Sequence, residues 1–232
     1  MVKIFADGAD KKSMIEMYNN PLINGLTTNP TLMRKAGISN YKEFAIDILS
    51  IIKDKPISFE VFSDDLNDME KQALEISSWG KNVYVKIPIT NTKGESTYNV
   101  ISNLSKKSVN INVTAITNID QINFIKNAVL CCKKCYISIF AGRIADTGVD
   151  PVPIIKEAIE IFKYSDNVEI LWASCREVYN IKQADDIGCH IITVTDDILK
   201  KFFKTIGKDL NAVSLETVNM FYNDALQSGY LI

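Results

Sequence analysis

The chain has 232 residues, 47% of them hydrophobic, with a formal net charge of −2 and an isoelectric point near 5.6. That length and apolar content suit one large globular domain, and the charge balance excludes the basic field that would hold a nucleic acid or an anionic membrane surface. No apolar run approaches the roughly 20 residues that span a bilayer, and the opening MVKIFADGAD lacks a signal-peptide core, so a cytoplasmic chain is expected.

In chain order, short apolar, β-branched runs recur: VKIFAD (2–7), INGLTTN (23–29), ISFEVFS (57–63), NVYVKIPI (82–89), NINVTAI (110–116), CYISIFAG (135–142), VEILWAS (168–174) and HIITVT (190–195). Segments of helical period lie between them. In DDLNDMEKQALEISSWG (64–80), for example, Leu66, Met69, Ala73, Leu74 and Ile76 mark one apolar stripe. A β-then-α pattern repeated about eight times argues for parallel strands joined by crossover helices. Near-continuous apolar strands suit a sheet covered by helices, and this length favours closure into an α/β, (β/α)8 TIM barrel, one domain over residues 1–232. The alternative is an open doubly wound sheet. Against it, no Gly-rich dinucleotide fingerprint follows the first run, and no P-loop is present. A further helix is expected over about 211–232, with Val213, Val218, Phe221, Leu226 and terminal Leu231 and Ile232 as apolar contacts. It either folds back on its own domain or packs on a neighbouring copy.

Five cysteines cannot form a complete disulfide framework, so reduced thiols are expected. Cys132 and Cys135 have a spacing that suits zinc or redox chemistry, but no second pair follows and His190 is the only histidine. The plainer reading of CCKKC is a helix end running into a buried strand, and no metal is expected. Asn112-Val113-Thr114 matches a glycosylation acceptor but falls inside an expected strand, where it carries no weight.

In a (β/α)8 barrel the chemical groups project from the C-terminal ends of the strands. Here the first run ends at Asp7 and the second at Thr28 and Asn29. The third carries Glu60, the fourth Lys86, the fifth Thr114, the sixth Ser138 and then Arg143, the seventh Ser174 and then Arg176. Each has an innocent reading: Asp7 or Asn29 as a helix cap, Thr114 or Ser138 as a partner for a backbone group. Lys86 and Glu60 are harder to dismiss, because a charge inside an apolar strand is costly unless paired. They are either a structural ion pair or a working one. Desolvation favours the neutral amine, which would make Lys86 a nucleophile towards carbonyls, with Asp7 and Glu60 free to divide acid and base roles.

Arginine usage points to a bound anion. The chain has 23 lysines and only three arginines, two of them, Arg143 and Arg176, just past the sixth and seventh runs. A planar bidentate fork is hard to replace at a phosphate or carboxylate site, and barrels often hold phosphate near their last loops. The competing reading is a structural salt bridge for each.

GLTTNP (25–30), VYVKIP (83–88), SIFAGRI (138–144) and ASCRE (173–177), in that order and with Asp7 and Glu60, resemble the motifs of the transaldolase family over almost the whole chain. The resemblance implies a lysine Schiff-base transferase that moves a dihydroxyacetone unit from a ketose phosphate to an aldose phosphate, with no metal or organic cofactor. It places Lys86 at the Schiff-base position and Asp7 at the acid/base aspartate. Glu60 and Thr114 fall on the pair that holds the catalytic water, Asn29 and Ser138 on donors to substrate hydroxyls. Arg143, Arg176 and Ser174 fall on phosphate-binding positions, and Thr27 and Thr28 on threonines lining the mouth. It also implies a homo-oligomer, a pentamer or decamer.

A short branch of that family, similar to fructose-6-phosphate aldolase, cleaves the ketose outright and carries glutamine and tyrosine where this chain has Glu60 and Phe140. Both residues here resemble the transferring side. Trp172 and Cys175 depart from the family's usual residues; they either repack the wall or reshape the acceptor end of the pocket. Two other readings stand beside transfer: aldolase cleavage in the same site, and a catalytically silent sugar-phosphate-binding barrel.

Overall fold

The computed structural model describes residues 1–230. Eight strands form a closed, wholly parallel barrel in sequence order: β1 (Lys3–Asp7), β2 (Ile23–Thr27), β3 (Ile57–Glu60), β4 (Val83–Pro88), β5 (Ile111–Ile116), β6 (Cys135–Ile139), β7 (Val168–Trp172) and β8 (Ile191–Thr195). Closure is made by β1 against β8, in register from Lys3 opposite Ile191 to Asp7 opposite Thr195. All eight expected runs become strands, because helices cover the barrel's outside and both faces of each strand are buried. The compact unit holding the barrel spans Met1–Leu199, and a second unit begins at Lys200.

The intervening helices are α1 (Lys11–Asn19), α2 (Pro30–Lys35), α3 (Tyr41–Ile51), α4 (Leu66–Ser78), α5 (Tyr98–Lys106), α6 (Ile119–Val129), α7 (Ala141–Ala145), α8 (Val152–Phe162) and α9 (Tyr179–Asp186). Several start on a side-chain oxygen. Asp10 accepts from the Ser13 amide, Asn40 from Glu43 and Asp65 from Asn67 and Asp68, each cap contributing about 1 kcal/mol. Asn118 and Gln121 form a reciprocal capping box at α6. On α4 the expected stripe is buried at Met69, Ala73 and Ile76, while Leu66 and Leu74 are half-buried at its edges.

Inside the barrel, Phe5, Tyr84, Tyr136, Leu171 and Ile191 form an apolar layer one strand repeat below the mouth. The Tyr84 and Tyr136 rings stack at 4.0 Å, and Phe5 meets Tyr136 edge-on at 5.6 Å. Gly25 is required here: a Cβ would lie 2.6 Å from the Phe5 ring, which fills that space. The barrel is plugged at its base.

The helix end expected within CCKKC lies earlier: α6 already stops at Val129, residues 131–134 are the turn after it, and Cys135 opens β6. Cys131 is exposed and the other four thiols are buried, Cys132 against the Ser105 hydroxyl at 2.8 Å. Among the described residues no group of three or more His, Cys, Asp or Glu side chains could hold a metal ion. His190 accepts a hydrogen bond from the Ile170 amide through Nδ1, and burial pushes its titration below the ordinary value. Asn112 of the glycosylation triplet lies fully buried in β5.

Two more helices follow β8: α10 (Asp196–Thr205), which runs across the division between the units, and α11 (Leu210–Ser228). Asp209 caps α11 by accepting from the Asn211 and Ala212 amides, and Gly229 ends it at φ +64°. No residue of α11 is buried, and Leu215, Val218, Phe221, Tyr222 and Leu226 are all exposed. Leu231 and Ile232, also expected as apolar contacts, lie outside the described residues. No helix among those described is long and apolar enough to cross a membrane.

Candidate active site

A cavity of about 410 Å³ opens at the C-terminal end of the strands, within the size range of small-ligand sites. Its wall takes Asp7 from β1, Thr27 and Asn29 from β2 and its exit, Glu60 from β3, and Lys86 from β4. Asn112, Thr114 and Ala115 come from β5, Ser138, Phe140 and Arg143 from β6 and the loop after it, Leu171, Ala173 and Ser174 from β7 and its exit, and Thr193 from β8. Ten of the twelve residues singled out from the sequence are brought together here.

Lys86 is only 7% exposed. Its Nζ lies 3.1 Å from Glu60 Oε2 and donates to the Thr28 carbonyl at 3.0 Å. The pair follows from register: Glu60 and Lys86 stand directly opposite each other on β3 and β4. Glu60 is itself fixed by Tyr41, whose hydroxyl accepts from the Glu60 amide at 2.8 Å and donates to the Glu60 carbonyl at 2.9 Å. A buried amine is thus held against one carboxylate while the cavity opens beside both.

Asp7 accepts from the Thr27 hydroxyl at 2.8 Å. Burial raises its titration above the ordinary carboxylate value, and the Lys86 charge and the Thr27 hydrogen bond only partly offset that. A carboxyl group that is readily protonated and faces a cavity is suited to moving a proton.

Asn29 fills two roles expected as alternatives. Its side-chain oxygen caps α2 through the Leu32 amide at 3.0 Å, and the same residue lines the cavity. β5 carries a bulge between Val113 and Ile116, where Ala115 adopts φ +62°. An alanine in the left-handed region is strained, and the bulge lies beside Thr114, whose buried Oγ1 makes no hydrogen bond to protein. That hydroxyl is available to a molecule in the cavity.

Asn112 was not singled out from the sequence. It donates to the Ser58 hydroxyl at 3.1 Å and accepts from the Ser138 hydroxyl at 2.6 Å, tying β3, β5 and β6 together beside Lys86, its register partner on β4. Thr193 was missed too; it brings a hydroxyl from β8 to the same wall. For Asn112 the available signal was an amide between Ile111 and Val113, as anomalous as a lysine between Val85 and Ile87.

Two expected residues stand off the wall. The Thr28 hydroxyl donates to the Ser58 carbonyl, and it is the Thr28 backbone oxygen that meets Lys86. Arg176 does not line the cavity, because its guanidinium is clamped to Asp146. Arg143 does line it, with its guanidinium 5.8 Å from the centre of the Phe140 ring. Trp172 and Cys175 also lie off the wall. Leu171 and Ala173 take the inward positions of β7, so Trp172 between them faces the helices, its Nε1 buried without a partner. Cys175 turns its thiol to the Glu177 carbonyl, and burial pushes that thiol up to about 11. Neither residue lines the cavity.

A parallel barrel whose mouth is lined by a buried lysine, two carboxylates and an arginine is the architecture of a small-molecule enzyme of the (β/α)8 class. The family described as transaldolase/fructose-6-phosphate aldolase matches residues 4–228, and the chain belongs to it. It is 37% identical to a "Probable transaldolase" of Caldicellulosiruptor saccharolyticus over 213 residues, covering 90% of this chain and 93% of that one. It is 36% identical to a protein of the same name from a Thermoanaerobacter species and 32% identical to one from Dehalococcoides mccartyi, each over 206 residues and 88% of this chain, covering 90% and 91% of theirs. Among solved structures, orotidine 5'-monophosphate decarboxylase from Metallosphaera sedula superposes with a TM-score of 0.56 at 12% identity, covering 89% of this chain and 97% of that one. That likeness reflects the barrel alone.

Proposed function

We propose that this chain is a transaldolase that moves a dihydroxyacetone unit through a Schiff base on Lys86, needing neither metal nor organic cofactor. The donors are fructose 6-phosphate or sedoheptulose 7-phosphate, and the acceptors are aldose phosphates such as erythrose 4-phosphate or glyceraldehyde 3-phosphate. The observation that carries the reading is the buried Lys86 amine, which shares one cavity with the Asp7 and Glu60 carboxylates. In this mechanism Lys86 passes its proton towards Glu60, attacks the ketose carbonyl and loses water to form an iminium. Asp7 takes the proton from the hydroxyl on the departing carbon. The C3–C4 bond then breaks, and its electron pair passes to the iminium as an enamine. The first aldose leaves, the enamine attacks the second, and water returned through Glu60 and Thr114 releases the product. Asn29 and Ser138 hold the fragment's hydroxyls, while Arg143, Ser174 and Arg176 receive the phosphate, with Thr27 shaping the mouth and the Thr28 carbonyl steadying Lys86.

Transfer is favoured over aldolase cleavage by Phe140 and Glu60. A phenyl ring at the cavity wall has no proton for the enamine, so the intermediate waits for an aldehyde. A silent sugar-phosphate-binding barrel has no use for a desolvated lysine between two acids. The decisive experiment is borohydride reduction with fructose 6-phosphate, followed by peptide mass mapping. A three-carbon adduct is expected on the peptide holding Lys86 and is absent in Lys86→Met. An unmodified peptide, under conditions that label a control aldolase, removes the reading. Phe140→Tyr should raise the release of free dihydroxyacetone, and an unchanged yield counts against transfer as assigned to that residue.

The exposed apolar side chains of α11 support a homo-oligomer, a pentamer or decamer, in which this helix meets a neighbouring copy. We place the chain in the cytoplasm as one barrel domain over 1–232 with a helical tail. Light scattering on the full chain tests the assembly, and a monomeric mass at micromolar concentration ends that part of the proposal.

A further inference from the structure

One charge near the cavity mouth has the wrong sign for an anion site. Asp146 ends the short helix α7, one turn after Arg143. The Arg176 side chain donates to it twice, from Nε to Oδ1 at 3.1 Å and from Nη2 to Oδ2 at 2.5 Å. The Arg176 hydrogen bond first, and then the charges of Arg176 and Arg143, hold the Asp146 carboxyl below its ordinary range. Both partners are about half exposed.

Arg176 is nevertheless rooted at the mouth. A Cβ on Gly142 would fall 3.1 Å from the Arg176 Cγ and 1.7 Å from the Ser174 carbonyl oxygen, so the loop after β6 and the exit of β7 touch through a bare glycine. Ser174, held at φ +65°, lines the cavity, as does Arg143 next to Gly142. Arg176 thus shares its neighbourhood with the wall while its fork is turned onto Asp146.

We propose that Asp146 is an internal competitor for the phosphate of the substrate: it occupies the Arg176 fork while the site is empty and yields that fork to a phosphate dianion. The inference rests on the phosphate-binding reading above and deepens it by naming the residue that sets anion selectivity. An exposed carboxylate–guanidinium pair is weakly held, so the fork exchanges at little cost. Phosphate offers the same bidentate match with more charge. A spherical monoanion such as chloride has no bidentate face. It leaves the Asp146–Arg176 pair intact and gains only Arg143, whereas phosphate gains both arginines. Asp146 therefore lowers phosphate affinity somewhat and bars weaker anions from the second arginine.

The test uses the full chain, inorganic phosphate as the probe and constant ionic strength set with chloride, with binding read from the phosphate dependence of the melting temperature. In Asp146→Asn the phosphate midpoint should fall roughly three- to tenfold. In Asp146→Asn with Arg176→Ala the gain over Arg176→Ala alone should be much smaller than the gain of Asp146→Asn over wild type, since only the weaker field at Arg143 remains, and an equal gain overturns the inference. A midpoint in Asp146→Asn equal to or above wild type overturns the inference. Arg143→Ala separates the two layers of argument. If wild type shows no phosphate-dependent shift, or Arg143→Ala leaves it unchanged, the phosphate reading itself fails and the inference goes with it.

Discussion

Lys86 Nζ and Glu60 Oε2 stand 3.1 Å apart inside the barrel, joined across two strands whose register puts their residues directly opposite. Removing one member of a buried pair strands the other. Glu60→Leu should cost about 3–5 kcal/mol, because the buried amine loses its nearest counter-charge and a hydrogen-bond acceptor together, leaving only Asp7 in the same cavity. Glu60→Gln keeps shape and hydrogen bonding, so it should stay folded while the rate falls about a hundredfold. Chemical denaturation and steady-state rates check both, and a Glu60→Leu variant as stable as wild type would show that the charge is not what matters.

Asp7 makes the opposite prediction for stability. In the unfolded chain its carboxyl loses its proton near the ordinary 3.8, while in the fold burial raises that point. As pH rises from 3.8 through the folded value, the unfolded state binds fewer protons than the native one, so stability falls across that window. Above it the half-buried, desolvated carboxylate remains a net cost. Asp7→Asn should therefore melt no lower than wild type at neutral pH, while activity falls by about 10²- to 10⁴-fold. A lower melting temperature in the variant at pH 7 contradicts the account.

Asn112 should matter to the whole wall. Asn112→Ala leaves the Ser58 and Ser138 hydroxyls without their shared partner and is expected to cost about 1–3 kcal/mol. It also frees Ser138 to rotate, so KM for the ketose should rise more than kcat falls. Ser138→Ala should give a similar KM with a smaller loss of stability. If both variants bind ketose as wild type does, Asn112 and Ser138 belong to the core alone.

At Gly142 the expectation is steric. A methyl group 1.7 Å from the Ser174 carbonyl forces the two loops apart, so Gly142→Ala should cost about 1–3 kcal/mol and weaken phosphorylated substrates most. Comparing phosphorylated with unphosphorylated ketose isolates the second effect. Equal losses on both substrates would mean that the junction supports the barrel rather than the anion end of the cavity.

The strands were legible because a parallel barrel buries both faces, and apolar β-branched runs record that directly. Lys86, Glu60 and Asp7 were legible for the converse reason, as charges where hydrocarbon belongs. Asn112 carried the same kind of signal but was read only as part of a glycosylation triplet. The outward position of Trp172 was available from parity, since alternate residues of a strand face opposite ways and Ala173 beside it faces in. What could not be read was long-range or conformational. Nothing local announces that Arg176 meets Asp146, 30 residues away. Nor does any residue type reveal the left-handed turn at Ala115, since alanine has no preference for it.

The plug of Phe5, Tyr84 and Tyr136 beneath the lysine gives the chamber a single door. If the Lys86 enamine proposed above forms, the first aldose must leave by that door before the second enters, and initial-rate plots against two sugars should run as parallel lines.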